Sequence, residues 1–499
     1  MTRLVQNPQM QIGEVDISQI KFHPKCRDDI PQVLRGLQHI YINLPIREKL
    51  FALLEKRIVP HINKKNGRPG MALWKIFVMG VLRLDLNCDY DRLGHIVNYD
   101  SLVRQMLGHG AFDEDVKYQL QTIKDNVSLL TPELLDEINQ VIVNAGHALL
   151  KKKGSEPLRG RCDSFVVETD VHFPTDINLL LDAIRKVIQL TATLSLQHGL
   201  TDWRQSSYNF RQVKRLMRIA QNKKRASSKT EEQKRKCEAA IVKAHQEYID
   251  AAKFYLNKAE FTLNTLTIQG RLGLKDIFLT QSITTFIAHG IRQINQIERR
   301  IIFGEVIPHD EKVFSLFEPH TEWVMKGKAG VPVELGVKVC VMEDQHQFIL
   351  HHMVMEKKTD DQVAVPMVDE TLKRFKSLST CSFDKGFHSQ SNQTELAEKL
   401  DVVALKRKGK LSKQARELEQ SDEFLKAKHK HSAVESAING LEVHGLDICR
   451  DRGIDGFKRY VALAIVARNI HRIGAILKKQ EEKREERRKH KIIIKKIAA

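Results

Sequence analysis

Over residues 1–150 apolar positions recur at three- and four-residue spacing, the pattern of amphipathic helices. The stretch "LPIREKLFALLEKRI" places Leu44, Ile46, Leu50, Leu53 and Leu54 on or near one helical face. After the basic turn "KKNGRPG", the run "MALWKIFVMGVLRLDLNCDYDRLGHIVNYDSLVRQMLG" predicts two or three short helices broken near Asn87 and Asn98. That layout is close to a helix-turn-helix, although an ordinary helical bundle carries the same pattern. The character changes at "RCDSFVVETDV", residues 161–171, where Phe165, Val166, Val167 and Thr169 favour a strand that "HFPTD" stops at Pro174. From Ile177 to Ile302 the chain becomes polar and helical, with apolar residues recurring among mixed charges. We expect a helical insertion there, a hairpin or coiled-coil arm whose charge run is a solvated face.

Strand signals return at "VELGVKVCVMED" and "QFILHHMVMEK", a hairpin turning at Gln345 and His346. A helix at "VPMVDETLKRF", a strand at "LSTCSFD", a helix at "NQTELAEKL" and a short strand at "DVVALKRKG" follow. The helical stretch "KQARELEQSDEFLKAKHKHSAVESAINGLEVHG" and the apolar helix "FKRYVALAIVARNIHRIGAILKK" come next. The charged "QEEKREERRKHKIIIKKIAA" closes the chain as a frayed tail. The fold class is therefore mixed α+β or α/β, a sheet flanked by helices and interrupted once. The expected division is 1–155, a helical N-terminal region; 156–176 with 303–480, the sheet domain; 177–302, the insertion; and 481–499, a basic tail.

Charge narrows the class of partner. The 499 residues carry 81 Lys+Arg against 62 Asp+Glu, a net charge of +19 that suits a polyanion, with nucleic acid first. The seven cysteines (Cys26, Cys88, Cys162, Cys237, Cys340, Cys381, Cys449) never form a C-x-x-C pair, which points to reduced thiols in a cytosol. The start "MTRLVQNPQMQIGEV" has no apolar core suited to a signal peptide, and no window approaches ~18 uninterrupted apolar residues, so no membrane span is expected. No Walker-type glycine loop points to ATP. The pairs His351/His352 and His429/His431 lack further Cys or His at metal-site spacing and read as ordinary histidines.

The strands bring in the chemistry. Asp384 ends the "LSTCSFD" strand and is followed at once by Lys385 and Gly386. A carboxylate on a strand end has a fixed backbone beneath it, and a glycine lets the chain leave without crowding it. Metal-assisted phosphodiester chemistry needs two or three such carboxylates on one point, holding two Mg2+ ions about 3.5–4 Å apart. Asp163 on the first strand, Asp384 and the helical Glu435 form one such set, and on pattern alone Asp170, Asp176 and Glu442 compete with them.

The stretch "FDKGFHS" resembles the second-aspartate block of bacterial insertion-sequence transposases of the DDE type. "CDSFVVETDVHFPTD", "SLFEPHTEWVMKGKAGVPVELGV" and "HSAVESAINGLEVHGLDICRDRG" resemble further blocks of the branch with the HFPTD block, outside the main classified families. The resemblance runs over residues 30–480. It implies an RNase H-like catalytic core, an N-terminal DNA-binding region and a helical insertion. It assigns Asp163, Asp384 and Glu435 as catalytic metal ligands, with Asp170 and Asp176 in the same block as Asp163. Around Glu435 the chain departs from the related Tyr-Arg-Glu-Lys signature: Lys428 stands at the Tyr position, His431 at the Arg position and Glu442 at the Lys position.

The implied activity is Mg2+-dependent cleavage at element ends and strand transfer into target DNA, with Mn2+ able to replace Mg2+. The implied partners are terminal inverted repeats, target DNA and further copies of the chain in a dimer or larger synaptic complex at the bacterial nucleoid. Lys326 and Lys328 in a glycine-containing loop, Lys406, Arg407, Lys408 and Lys410 beyond a strand, and His431 are the candidate DNA contacts. Trp323, beside His320 and Glu322, is a candidate for stacking on a flipped or unpaired base, or else a core or rim tryptophan. Two other functions fit the same residues: a nuclease with this metal centre, and a transposase-derived DNA-binding protein without catalysis.

Overall fold

The computed structural model describes residues 10, 12–23, 26–58, 70–150, 156–223, 230–325, 332–409 and 411–497, with backbone alone at 489 and 491–497. The chain divides into two compact units, Met1–Asp170 with Glu322–Ala499, and Val171–Thr321.

The first unit opens with α1 (Asp29–Ile42), α2 (Leu44–Ile58), α3 (Leu73–Asp85), α4 (Tyr90–Tyr99), α5 (Ser101–Met106), α6 (Leu120–Val127) and α7 (Pro132–Leu149). Several start where a short polar side chain accepts a free N–H of the first turn: Asp28 from Ile30, Asp89 from Arg92, Asp100 from Val103 and Thr131 from Leu134. The expected break near Asn87 lies between α3 and α4, where Asn87 adopts φ +44°. Every residue of α3 except Lys75 is buried, so α3 is an internal helix and α4 carries the exposed polar face of this pair. Most of "KKNGRPG" lies outside the described residues.

The sheet contains β1 (Leu158–Thr169), β2 (Glu322–Met325), β3 (Val333–Glu343), β4 (Ile349–Val354), β5 (Leu378–Phe383), β6 (Val402–Leu405) and β7 (Ile448–Cys449). It is mixed. β1 is central, antiparallel to β3 and parallel to β5 and β7; β3 continues antiparallel to β2 and β4, and β5 parallel to β6. The β3–β4 hairpin turns at Asp344–Gln347, with Gln347 at φ +68°. The second unit holds α8 (Asp176–Gln197), α9 (Ser206–Asn222), α10 (Glu231–Ile268) and α11 (Ile277–Ile297). Back in the first unit come α12 (Asp360–Arg374), α13 (Gln390–Lys399), α14 (Lys413–Glu419), α15 (Asp422–His431), α16 (Ala433–Leu441) and α17 (Gly453–Ile497).

Four expectations need adjusting. The 1–155 region is not a separate body: Leu34, Phe77, Ile138 and Ile142 share one apolar core with Val167, Val339, Phe348 and Ile465, because α17 packs against α1, α3, α7 and β4. The insertion is neither a hairpin nor an arm. Its four helices enclose their own core around Ile184, Tyr248, Ile249 and Ile287, and the unit runs from 171 to 321 rather than 177 to 302. The helix expected from Val365 begins at Asp360, closed by a Thr359–Gln362 capping box, with Pro366 inside it. The helix α17 continues through the expected tail to Ile497. One window of α17 is long and apolar enough to cross a membrane, but 78% of it is buried within the protein, as a core helix would be.

Candidate active site

Strand β1 is apolar along much of its length, with Cys162, Phe165 and Val167 buried, and it interrupts that pattern at half-buried Asp163 and Ser164. The parallel register pairs Cys162 with Phe383, so the next residues, Asp163 and Asp384, lie side by side where β5 ends. Beyond Asp384 the chain enters a 3-10 turn, Lys385–Phe387, anchored by buried Phe387. A Cβ at Gly386 would stand 3.1 Å from Asp360 Oδ2, so a glycine allows the turn to pass close to the start of α12.

The two aspartates differ in environment. Burial pushes Asp163 up to about 6, the Ser164 amide and His431 oppose this, and the charges of Asp384 and Asp360 add to it. The Ser164 N–H donates to Asp163 Oδ1 at 2.7 Å. Asp384 is exposed, and His431 beside it holds its carboxyl below the usual range. His431 Nε2 stands 3.5 Å from Asp384 Oδ1, an ion-pair distance rather than a hydrogen bond, and its Nδ1 lies 3.1 Å from Ser382 Oγ. His431, expected at a phosphate contact, therefore faces the second aspartate.

The register also separates the competing acids. Asp170 follows the end of β1, seven residues past Asp163 and thus roughly 23 Å farther along an extended strand. Asp176 belongs to the second unit, where Arg300 pairs with it at 2.9 Å. Glu442 lies in a π-turn, Glu442–Leu446, after α16. Glu435 is exposed on α16, which packs against β1. The side chains of Asp163, Asp384 and Glu435 do not form a group with all ligand atoms within 4.8 Å; among the described residues only Asp85, His444 and His471 do, and that group could hold a metal ion.

The carboxylate that sequence reasoning missed is Asp360. It opens α12, accepts from Ser164 Oγ at 2.7 Å and meets Lys338 Nζ at 3.3 Å through both oxygens. Nothing in "EKKTDDQ" marks it apart from a helix start.

Positive charge surrounds the pair. Lys406 and Lys408 are exposed and Arg407 half-buried; Lys408 Nζ donates to the Gly386 carbonyl at 3.0 Å. The Lys406 ammonium beside Lys428 pulls the latter below its usual value. A cavity of about 490 Å³ reaches Ser382 and is lined by Arg159, Arg161, Lys426 and Lys430, with Glu423 the one acid. Lys326, Lys328 and Lys410 lie outside the described residues. Trp323 is half-buried on β2, and His351 and His352 are buried histidines that burial keeps neutral, His351 against Arg374 and His352 near Asp136. The chain matches no protein-family model, no curated protein and no solved structure.

Proposed function

We propose that the chain is the DNA transposase of an insertion sequence, cutting at the ends of its element and joining the freed 3′-hydroxyls to target DNA. The observation that carries this reading is the meeting of Asp163 and Asp384 from adjacent parallel strands beside a lysine-lined surface. Their donors suit the proposed ion: Mg2+ and Mn2+ prefer carboxylate oxygen, and a dication would offset both the burial that chiefly raises Asp163 and the smaller repulsion from Asp384 and Asp360. Asp163 and Asp384 with Glu435 would hold two such ions. When bound, these supply an activated oxygen nucleophile and stabilise the leaving oxygen.

The remaining work falls to the chain. The Ser164 amide fixes one oxygen of Asp163, and Asp360, held by Lys338, fixes the Ser164 hydroxyl in turn. His431 orients Asp384 and adds positive charge when protonated. Lys406, Arg407, Lys408 and the cavity between Arg159 and Lys430 track DNA phosphates, which positions the duplex without reading its sequence. The mixed sheet, with an antiparallel hairpin on one side of β1 and parallel strands on the other, supports an RNase H-like core. The N-terminal helices bind terminal repeats, and two DNA ends call for a dimer or larger complex at the nucleoid.

The test supplies the gene in cells beside a marked element with its native flanks, and compares wild type with Asp384→Asn at equal abundance. Wild type moves the marker and the variant falls to background. Equal movement by both would make Asp384 structural and remove the reading's foundation.

A further inference from the structure

Asp85 ends α3 with its side chain fully buried. A carboxylate so far from water needs strong compensation. Two histidines from distant parts of the chain face it. His471 on α17 brings Nδ1 to 3.0 and 3.1 Å from the two carboxylate oxygens. His444, in the π-turn Glu442–Leu446, brings Nδ1 to 3.9 Å from Oδ1, and the two rings stand 4.7 Å apart at 53°. One ligand atom from each of the three lies within 4.8 Å of the others.

We infer that Asp85, His444 and His471 form a binding site for a single Zn2+-like transition-metal ion, separate from the Asp163–Asp384 centre and independent of the transposase reading. Tetrahedral Zn2+ with bonds of about 2.0–2.1 Å sets its ligand atoms roughly 3.3 Å apart. Asp85 stands 3.0 and 3.1 Å from His471 through its two oxygens and 3.9 Å from His444, on either side of that spacing, and the two histidine ligand atoms lie within 4.8 Å of each other. Two imidazoles and one carboxylate favour a borderline ion over Mg2+, which demands oxygen.

The second ring nitrogen of His471 accepts from the Gln32 side-chain amide, so Nδ1 carries the ring proton toward Asp85, and ligation through Nδ1 requires Gln32 to turn its amide oxygen to that second nitrogen. The His444 turn reverses at Gly445, φ +105°, and Tyr460 Oη donates to the Gly445 carbonyl at 3.1 Å. His444 Nδ1 also donates to the Asp85 carbonyl oxygen, so ligation through Nδ1 shifts that proton to Nε2 and gives up this hydrogen bond. His444 and His471 each keep a small exposed fraction, while the Asp85 side chain is fully buried. Three protein ligands leave the remaining position to water, and the ion ties the end of α3 to α17.

The test uses the full chain carrying Asp163→Asn and Asp384→Asn, so that the other centre does not contribute, stripped with a chelator and titrated with Zn2+ alone. One equivalent binds, and it raises the thermal unfolding midpoint. Adding His444→Ala, or His444→Gln, which keeps an amide able to meet the Asp85 carbonyl, weakens that equivalent by roughly a hundredfold and removes the thermal shift. The inference is overturned if the parent chain binds no equivalent that the His444 variants lack, or if Zn2+ leaves its unfolding midpoint unchanged.

Discussion

Glu343 ends β3 at 2% exposure, with Arg161 Nη2 at 2.9 Å from its carboxylate. Burial outweighs Arg161 and pushes Glu343 from 4.5 up to about 7. With the folded value above the unfolded one, the folded chain holds the proton more tightly between those two values. The contribution is full below pH 4.5 and is lost as pH rises to about 7. Glu343→Gln removes that loss. Between pH 5 and pH 8 the variant should gain on wild type by at most roughly 3 kcal/mol, read as the difference in urea midpoints at the two pH values. An unchanged difference across this range would mean that Glu343 ionises normally. At this scale the sequence was legible for Asp163 and Asp384, because each punctuates an apolar run. It was silent on Asp360 and on the ring of His431 facing Asp384, since both depend on which side chains a neighbouring element brings close.

Helices α1 and α17 cross backbone to backbone. A Cβ at Gly474 would lie 1.9 Å from the Gln32 carbonyl oxygen, and one at Gly36 would lie 2.2 Å from that of Ile470. Neither neighbour is a flexible side-chain end, so relief requires the helices to part. Gly474→Ala should cost about 1–3 kcal/mol and lower the thermal midpoint. Gly94→Ala on α4 meets nothing nearer than Ile123 Cδ1 at 3.8 Å, and should be neutral or stabilise by about 0.5–1 kcal/mol. If both alanine variants melt alike, the helices are not in contact there. Element types were legible from periodicity: the strands β1, β3, β4, β5 and β6 and the N-terminal helices all carry local patterns. The short β2 and β7 were not, because strands of four and two residues show no alternation to read and exist through their partners on β3 and β1.

The second unit leaves and rejoins the first at nearby points. Glu168 and Glu322 both pair with Gly336 from opposite sides of β3, so the exit and re-entry lie about 10 Å apart, two strand spacings. Replacing residues 171–321 with about six Gly/Ser residues spans that gap and should leave the first unit folded with one cooperative melting transition. The excised 171–321 fragment, with its own core, should be helical by circular dichroism. Loss of cooperative unfolding in the shortened chain would show that the first unit depends on the second. The sequence by itself determined where most of the longer helices and strands form, that the chain is strongly basic, and a short set of acids eligible for chemistry, because periodicity and charge can be read within a short window. Only the tertiary structure decided that Asp163 rather than Asp170 stands beside Asp384, that the N-terminal helices share the core of the sheet, and that Asp85, His444 and His471 meet. Those pairings join residues tens to hundreds of positions apart through strand register and helix crossing, and neither leaves a local mark in the chain.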